Sequence, residues 1–544
     1  MRRSLLCLLF LWLSIVVSLS AQQPAGVGLR LIVVKTEEEA AGLRNRLQAG
    51  EAFEELAKKY SSDASASAGG YLGIVLIGDL RKEFQDVLVR LRPGQVSPIA
   101  KISEGHALLQ VVPEAEAHDY EGKTLGVQGK VDEAIAEFRE ALRINPQYAE
   151  AHYHLGVALG YLEKLDEAVS ELREALRINP QHAEAHNNLG VALLEQGNAD
   201  EAIHEYREAL RINPQSPEVH YNLGNALDDI GKLDEAVAEY REALHISPDC
   251  DASHFNLGVA LKHQGKLDEA VSEYREALRL NAGLAQAHHA LANAIADQGQ
   301  PDEAIGEYRE ALRINPDYDE ARYNLGVALK KQGKLDEAIA EYREALRVNP
   351  HHIQAHNNLG VALREQGKLD EAIVEYREAS RMNPEIASFH NGLGVALKAQ
   401  GKLDEAIVQY REALSLNPSS PETHNNLAIA LSEQGKLDEA VREYREELRV
   451  NPNFAAAHNN LGNSLLDQGK LDEAIEEYRE ALRIEPNLAQ VHYNLGEALR
   501  QRGDRVGSAQ ELRDFLRLAP SSPESQEQID RARNMLAEVE KSRY

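Results

Sequence analysis

Eleven histidines stand 34 residues, or a multiple of 34, apart: His118, His152, His186, His220, His254, His288, His356, His390, His424, His458 and His492. Aligned imidazoles invite a metal reading, and the spacing argues against it. Packed helices lie about 8–10 Å apart, and a helix pair adds two of them per copy. A metal needs its ligands about 2 Å away, so successive copies cannot share an ion. The histidines are expected to pack in a helical seam and no metal site is expected. Arg322 fills the one remaining slot.

Two residues further on, eight asparagines keep the same period: Asn188, Asn222, Asn256, Asn324, Asn358, Asn426, Asn460 and Asn494. Asparagine is a mediocre helix former, so each choice has a local cost. Its amide can donate to a peptide carbonyl and accept from a peptide N–H without reading side chains. A ladder of such amides suits an extended polypeptide. The competing reading is inheritance: copies of one ancestor carry its asparagine whether or not it is used. Both stand at this point.

These residues belong to a repeating unit, seen in full from Ala455 to Leu488 as AAAHNNLGNSLLDQGKLDEAIEEYREALRIEPNL. Units begin at 115, 149, 183, 217, 251, 285, 319, 353, 387, 421, 455 and 489 and fill 115–522. Counted within the unit, histidine holds place 4, leucine 7 and 11, glycine or alanine 8, glycine 15, alanine 20 and 27, tyrosine 24 and proline 32. Places 4, 7, 8 and 11 share one helical face. Glycine at 8 admits a close second helix, and the aspartate of KLDEA is a plausible N-cap for that helix. Proline at 32 forbids its continuation. One unit cannot bury its own face, whereas stacked neighbours can. The pattern resembles the tetratricopeptide (TPR) repeat. That resemblance implies a right-handed α-solenoid of about twelve helix-turn-helix repeats, with the asparagines on its concave wall. Residues 523–544 read as a closing helix and tail.

The net charge of −29 repels phosphate backbones and argues against nucleic acid. A protein or peptide partner suits it better, and the oligomeric state is open. With Cys7 in the leader, Cys250 is left alone and no internal disulfide is possible. The sequence shows no phosphate-cradling glycine loop, paired-cysteine metal spacing or nucleophile elbow, and no cofactor is expected.

The chain opens with two arginines, an apolar run from Leu5 to Leu19 and small residues before Ala21. This reads as a signal peptide over 1–20, followed by a linker over 21–28. Export to a periplasmic or extracellular space follows, with an uncleaved anchor as the alternative and no membrane insertion once the leader is removed. From 29 to 113 the pattern does not repeat. LRLIVV reads as a buried strand, and Thr36 with Glu39 as a capping box opening a helix to about Gln48. EAFEELAKKY is a helix, YLGIVLI a strand, LRKEFQDVLVRL a helix and ALLQVV a closing strand: a small α+β domain before a mostly α array.

The stretches IVVKTEEEA, FEELAKKYSSDASASAGGYLG, EFQDVLVRLRPGQVSPI and SEGHALLQV resemble parvulin-type (PpiC-like) peptidyl-prolyl isomerases. By that resemblance Asp63 stands at the active-site acid, Leu80 at a pocket aliphatic and Phe84 at the pocket phenylalanine. The two histidine positions of the family hold Leu31 and Ala107. His106 lies one residue early, and in a strand such a shift turns a side chain to the other face. Tyr71 replaces the usual aspartate of the GGDLG stretch. Three readings of function follow. The first is an exported polypeptide-binding scaffold with a degenerate, chaperone-like parvulin domain. The second is an active isomerase whose array recruits substrates. The third is a structural assembly factor of an envelope complex.

Overall fold

The computed structural model describes residues 26–520 and 525–541; the leader expected at 1–20 lies outside them. The chain divides into two compact units, the first ending at Ala282 and the second starting at Gly283.

The first unit begins with a four-stranded antiparallel sheet in the order β2-β1-β4-β3. Its elements are β1 (Val27–Val34), α1 (Glu37–Gln48), α2 (Phe53–Tyr60), β2 (Tyr71–Val75), α3 (Lys82–Leu88), β3 (Ala100–Ile102) and β4 (Gly105–Val111). The run LRLIVV is buried throughout because β1 is central and covered on both faces. Strand alternation divides its side chains between two cores. Leu29, Leu31 and Val33 join Ala107, Leu109, Phe84 and Leu88 on the α3 side. Ile32 and Val34 join Leu108 and the inner faces of α1 and α2 on the other. The capping box forms as expected: Thr36 Oγ1 accepts from the Glu39 N–H, and Glu39 Oε2 accepts from the Thr36 N–H. Two elements are shorter than expected. The strand from Tyr71 stops at Val75, and the helix around Phe84 covers only Lys82–Leu88. The three-residue β3 was not read from the sequence.

Helix pairs follow: α4 (Glu114–Val127) with α5 (Val131–Ile144), α6 (Ala149–Tyr161) with α7 (Leu165–Ile178), then α8 (Ala183–Glu195) with α9 (Ala199–Ile212). The second unit repeats the same pairing from Ala285 to Leu518, and a further helix covers Gln526–Lys541. Glycine at place 8 lets the tyrosine at place 24 lie close, although Ala292 with Tyr308 and Ala428 with Tyr444 show that alanine is accommodated where the ring gives way. A Cβ on Gly190 would lie 2.6 Å from the Tyr206 ring, and one on Gly462 would lie 2.6 Å from the Tyr478 ring. These tyrosines are fully buried.

The aspartate of KLDEA does not cap its helix. The second helix starts at the preceding leucine, after a lysine that makes no side-chain cap bond. The aspartate instead accepts from the glutamine at place 14 of the next repeat, as in Gln196 Nε2 to Asp166 Oδ1 (2.8 Å) and Gln468 Nε2 to Asp438 Oδ1 (3.0 Å). It still sits in the first turn, where a negative charge complements the helix dipole.

The first helix of the array is welded to the sheet domain. Arg30, 8% exposed, pairs with Glu116 (2.7 Å) and donates to Tyr120 Oη (2.5 Å) and Gln110 Oε1 (3.2 Å). Tyr120 in turn donates to Glu54 Oε2 at 2.7 Å. The ring of Tyr71 stacks on Tyr120 at 4.6 Å, and its hydroxyl donates to the Ala117 carbonyl. Gly28 admits the helix, since a Cβ there would lie 2.7 Å from the Ala117 methyl. The departure at Tyr71 therefore has a packing reason.

Candidate functional site

The sheet brings the residues of the expected proline seat together on one face. Leu31, Ala107 and Phe84 share a core, with Leu80, Leu72 and Ile102 packed partly buried against it. Register explains the assembly: β1 and β4 pair antiparallel with Leu31 opposite Leu109 and Val33 opposite Ala107. α3 then lays Phe84 across them. Leu72 was not singled out from the sequence; its place after Gly69-Gly70 was the available signal.

His106 stands opposite Val34, whose side chain belongs to the α1/α2 core, so strand alternation turns the imidazole away from this face. Its Nδ1 is buried without a hydrogen-bond partner.

Asp63 lies at the sheet edge where β2 has ended. The loop after α2 takes over along β1: the Ser62 N–H donates to the Val33 carbonyl and the Leu31 N–H to the Gly70 carbonyl, both at 2.8 Å. Gly70, at φ +81°, is needed because a Cβ would lie 2.4 Å from the Leu31 oxygen. The Asp63 carboxylate turns back on its own loop, where Oδ1 accepts from the Ser65 N–H (2.8 Å) and hydroxyl (2.5 Å) and caps a short 3₁₀ turn. Beside the seat, Arg81 pairs with Glu104 at 2.7 Å and ties the entry of α3 to the β3–β4 turn. The Arg81 hydrogen bond is the largest cause holding the Glu104 carboxyl down to about 2. The face thus offers an apolar wall, one carboxylate engaged by Ser65, and no histidine at either family position. α4 packs beside Gly28, Arg30 and Gln110, whose strand positions alternate with those of the seat.

The eight asparagines are placed by the stacking of first helices. In seven of them Nδ2 donates to the side chain at place 5 of the preceding repeat. Asn188, Asn256 and Asn358 donate to Tyr153, Tyr221 and Tyr323 Oη at 3.0–3.2 Å. Asn222, Asn426 and Asn494 donate to Asn187, Asn391 and Asn459 Oδ1 at 2.9–3.2 Å. Asn324 meets His289 Nε2 at 2.9 Å. Asn460 differs, its Oδ1 accepting from Asn459 at 3.4 Å. Asn222 is only 4% exposed, and the others are half-buried. In the seven, the amide nitrogen already donates within the stack, so a partner would meet mainly the Oδ1 atoms.

The place-4 histidines do more than pack. In His152, Nδ1 lies 2.6 Å from Glu171 and Nε2 lies 3.2 Å from the Pro146 carbonyl. The same pair of contacts recurs at His424 with Glu443 and Pro418, and at His458 with Glu477 and Pro452. In each, both ring nitrogens face acceptors, which pins the second helix and the preceding loop to the first helix; at His424 and His458 the pKa is raised, in keeping with the imidazolium that two acceptors favour. The signal was in the sequence: a glutamate recurs 19 residues after the histidine. Where Arg322 replaces histidine, it keeps both contacts, to Glu341 and the Pro316 carbonyl.

Comparison with known proteins agrees with this division. A family model described as the PPIC-type PPIASE domain matches residues 33–112. Tetratricopeptide repeat models match 122–160, 158–217 and 221–285. One described as the cilia and flagella-associated protein 70 C-terminal domain matches 286–535. Chaperone SurA of Burkholderia lata is 33% identical over 116 residues, which are 20% of this chain and 25% of that protein. Chaperone SurA of Ralstonia nicotianae is 39% identical over 110 residues, 19% of this chain and 22% of that one. Foldase protein PrsA of a Geobacillus species is 41% identical over 86 residues, 16% and 31% of the two chains. The chain spans about a quarter of the length of the curated relatives it matches. Among solved structures, the APC/C hetero-tetramer Cut9-Hcn1 matches 77% of this chain and 96% of that one at 13% identity and a TM-score of 0.41. YrrB, titled a TPR protein with an unusual peptide-binding site, matches 33% and 92% at 23% identity and a TM-score of 0.30. The chain joins a PpiC-type rotamase domain to an array of tetratricopeptide repeats.

Proposed function

We propose that this chain is an exported, chaperone-like scaffold that holds extended polypeptide on its repeat array, while the rotamase domain seats proline-containing or apolar segments with weak or no turnover. The observation that carries the reading is the seat itself. Leu31 and Ala107 leave it without imidazole, Asp63 is occupied by Ser65, and the apolar wall of Phe84 and Leu80 persists. A wall of this kind can bind a proline ring, but it lacks polar groups that bind the twisted amide better than the planar one, as catalysis requires. The likeness to chaperones and a foldase, over 86–116 residues, supports the holding role.

The test is a protease-coupled X-Pro isomerisation assay on the chain lacking residues 1–20. The expected rate is close to the spontaneous one, and holding is expected to appear as suppressed aggregation of an unfolded protein. An isomerisation rate well above the spontaneous one would overturn the degenerate reading and favour an active isomerase that uses its array for recruitment. Fractionation of expressing cells tests export; retention in the cytoplasm would count against it.

A further inference from the structure

Two histidines outside the place-4 series stand at the last place of a repeat: His182 and His352. They are 9% and 5% exposed, one in each unit, and share most of their neighbours; they differ in that Glu184 Oε2 stands 3.2 Å from His182 Nδ1, where the sequence after His352 has Gln354. In both, Nδ1 accepts the backbone N–H three residues on, from Ala185 and Ala355 at 3.3 Å. That bond favours the tautomer with the proton on Nε2, most simply at His352, where no carboxylate among the described residues pairs with Nδ1. In both, Nε2 is buried without a hydrogen-bond partner. In both, a glutamate from place 2 of the same repeat stands just beyond bonding distance, Glu150 at 3.5 Å and Glu320 at 3.7 Å, with about half of its side chain exposed. In both, the imidazole rests against a place-5 tyrosine, Tyr153 at 4.6 Å and Tyr323 at 4.7 Å. The tyrosine hydroxyl accepts from Asn188 or Asn358, which leaves its own proton to donate.

A buried N–H donor without a partner is costly, and its recurrence with the same neighbours marks a built feature. Each pair sets one donor beside one acceptor, 3.5–3.7 Å apart. An extended residue shows the complementary pattern, because its N–H and C=O project from the same strand edge. We propose that Glu150 with His182, and Glu320 with His352, are docking points for the main chain of an extended polypeptide. At each, the carboxylate accepts a peptide N–H and the imidazole Nε2–H donates to the carbonyl of the same residue, with the tyrosine hydroxyl as a second donor. Recognition of this kind does not depend on side chains, so it takes unfolded segments of varied sequence. The proposal rests on the reading of the array as polypeptide-binding.

The test uses an uncharged fluorescein-labelled peptide of Ser, Thr and Val, about 15 residues long so that it can lie extended across several repeats. A second peptide carries N-methyl groups on alternate residues, which remove N–H donors and keep the side chains. Anisotropy is read with the wild-type chain and with the E150A/E320A variant, whose fold is checked by circular dichroism; both glutamates are partly exposed. Loss of roughly tenfold in affinity per site is expected in the variant. N-methylation is expected to weaken binding to the wild type by a similar factor and to add little in the variant. Equal affinity of the variant and wild type for the parent peptide, or no effect of N-methylation on the wild type, overturns the proposal. Capture of a reduced, carboxymethylated protein separates the two levels. If wild type and variant capture it equally, the docking points fail and the polypeptide reading stands. If the wild type captures neither it nor the peptide, both fail.

Discussion

Glu163 occupies a backbone position that eleven other repeats give to glycine, and it holds a left-handed φ of +59°. Its side chain is exposed, and an L-residue in this region costs about 1–2 kcal/mol. Glu163→Gly is expected to stabilise the turn between α6 and α7 by about 1 kcal/mol, read as slower hydrogen exchange there. Faster exchange would show that the glutamate has a role the backbone does not reveal. Glu447 is the opposite case. It stands where most repeats have alanine, is 1% exposed, and leaves Oε2 without a partner. Burial is the largest cause raising its carboxyl to about 7. The folded array keeps a proton that the unfolded chain releases in the ordinary carboxylate range. Stability from this group is therefore full below about pH 4.5 and lost as pH rises through about 7. Glu447→Ala is expected to stabilise the array by about 1–3 kcal/mol above that range and to remove this pH dependence. Urea unfolding on either side of the range checks it; an unchanged midpoint in the variant would count against it. Neither residue was singled out from the sequence, although each departs from its place in the repeat, and only the φ angle and the burial show what each departure does.

At the scale of elements, the 34-residue period carried most of the fold, because helix starts, stops and buried faces all follow from it. What it could not carry was partnership across a repeat. Asp166 was read as a cap from its local position, yet its partner Gln196 lies 30 residues on. The histidines were read as packing because the glutamates lie on the other helix. These pins predict an alkaline weakness. For His118 and His424 the hydrogen bonds to Glu137 and Glu443 are the largest cause raising the imidazole pKa. For His356 and His458 burial is the largest cause and pulls downward, but the carboxylate and proline carbonyl together outweigh it. A raised folded value means that the pins hold fully below the ordinary imidazole pKa and fail as pH rises through the raised one. Denaturation midpoints are expected to fall as pH rises from below the ordinary imidazole pKa of about 6.5 into the alkaline range, and less steeply when Glu443 is replaced by glutamine. A flat profile over that range would sink the imidazolium assignment.

At the scale of the molecule, the sequence showed two architectures in one chain and missed how the first meets its array. Tyr71 looked like simple loss of a family aspartate; its stacking on Tyr120 could not be seen without α4 in place. Arg30 is nearly buried, and removing one partner of a buried pair costs about 3–5 kcal/mol. Arg30→Ala is expected to destabilise the first unit by up to that amount and to speed hydrogen exchange in α4; protection of α4 equal to wild type would show that stacking alone holds it. The apolar residues of the expected proline seat could be named from the sequence, and Leu31, Ala107, Phe84 and Leu80 do come together in one core. The Glu–His docking points were not legible, because their parts lie 32 residues apart and their meaning depends on a tautomer.

The weld also bears on descent. Leu31 and Ala107 take no part in the hydrogen bonds and stacking that hold α4, so changes at these two positions leave the weld in place. Loss of the whole domain would strip Tyr120 and Ala117 of their cover and leave the array with an open end. The two changes face different selection, so a domain fused in this way is retained as the end-piece of its array whether or not its seat turns over substrate.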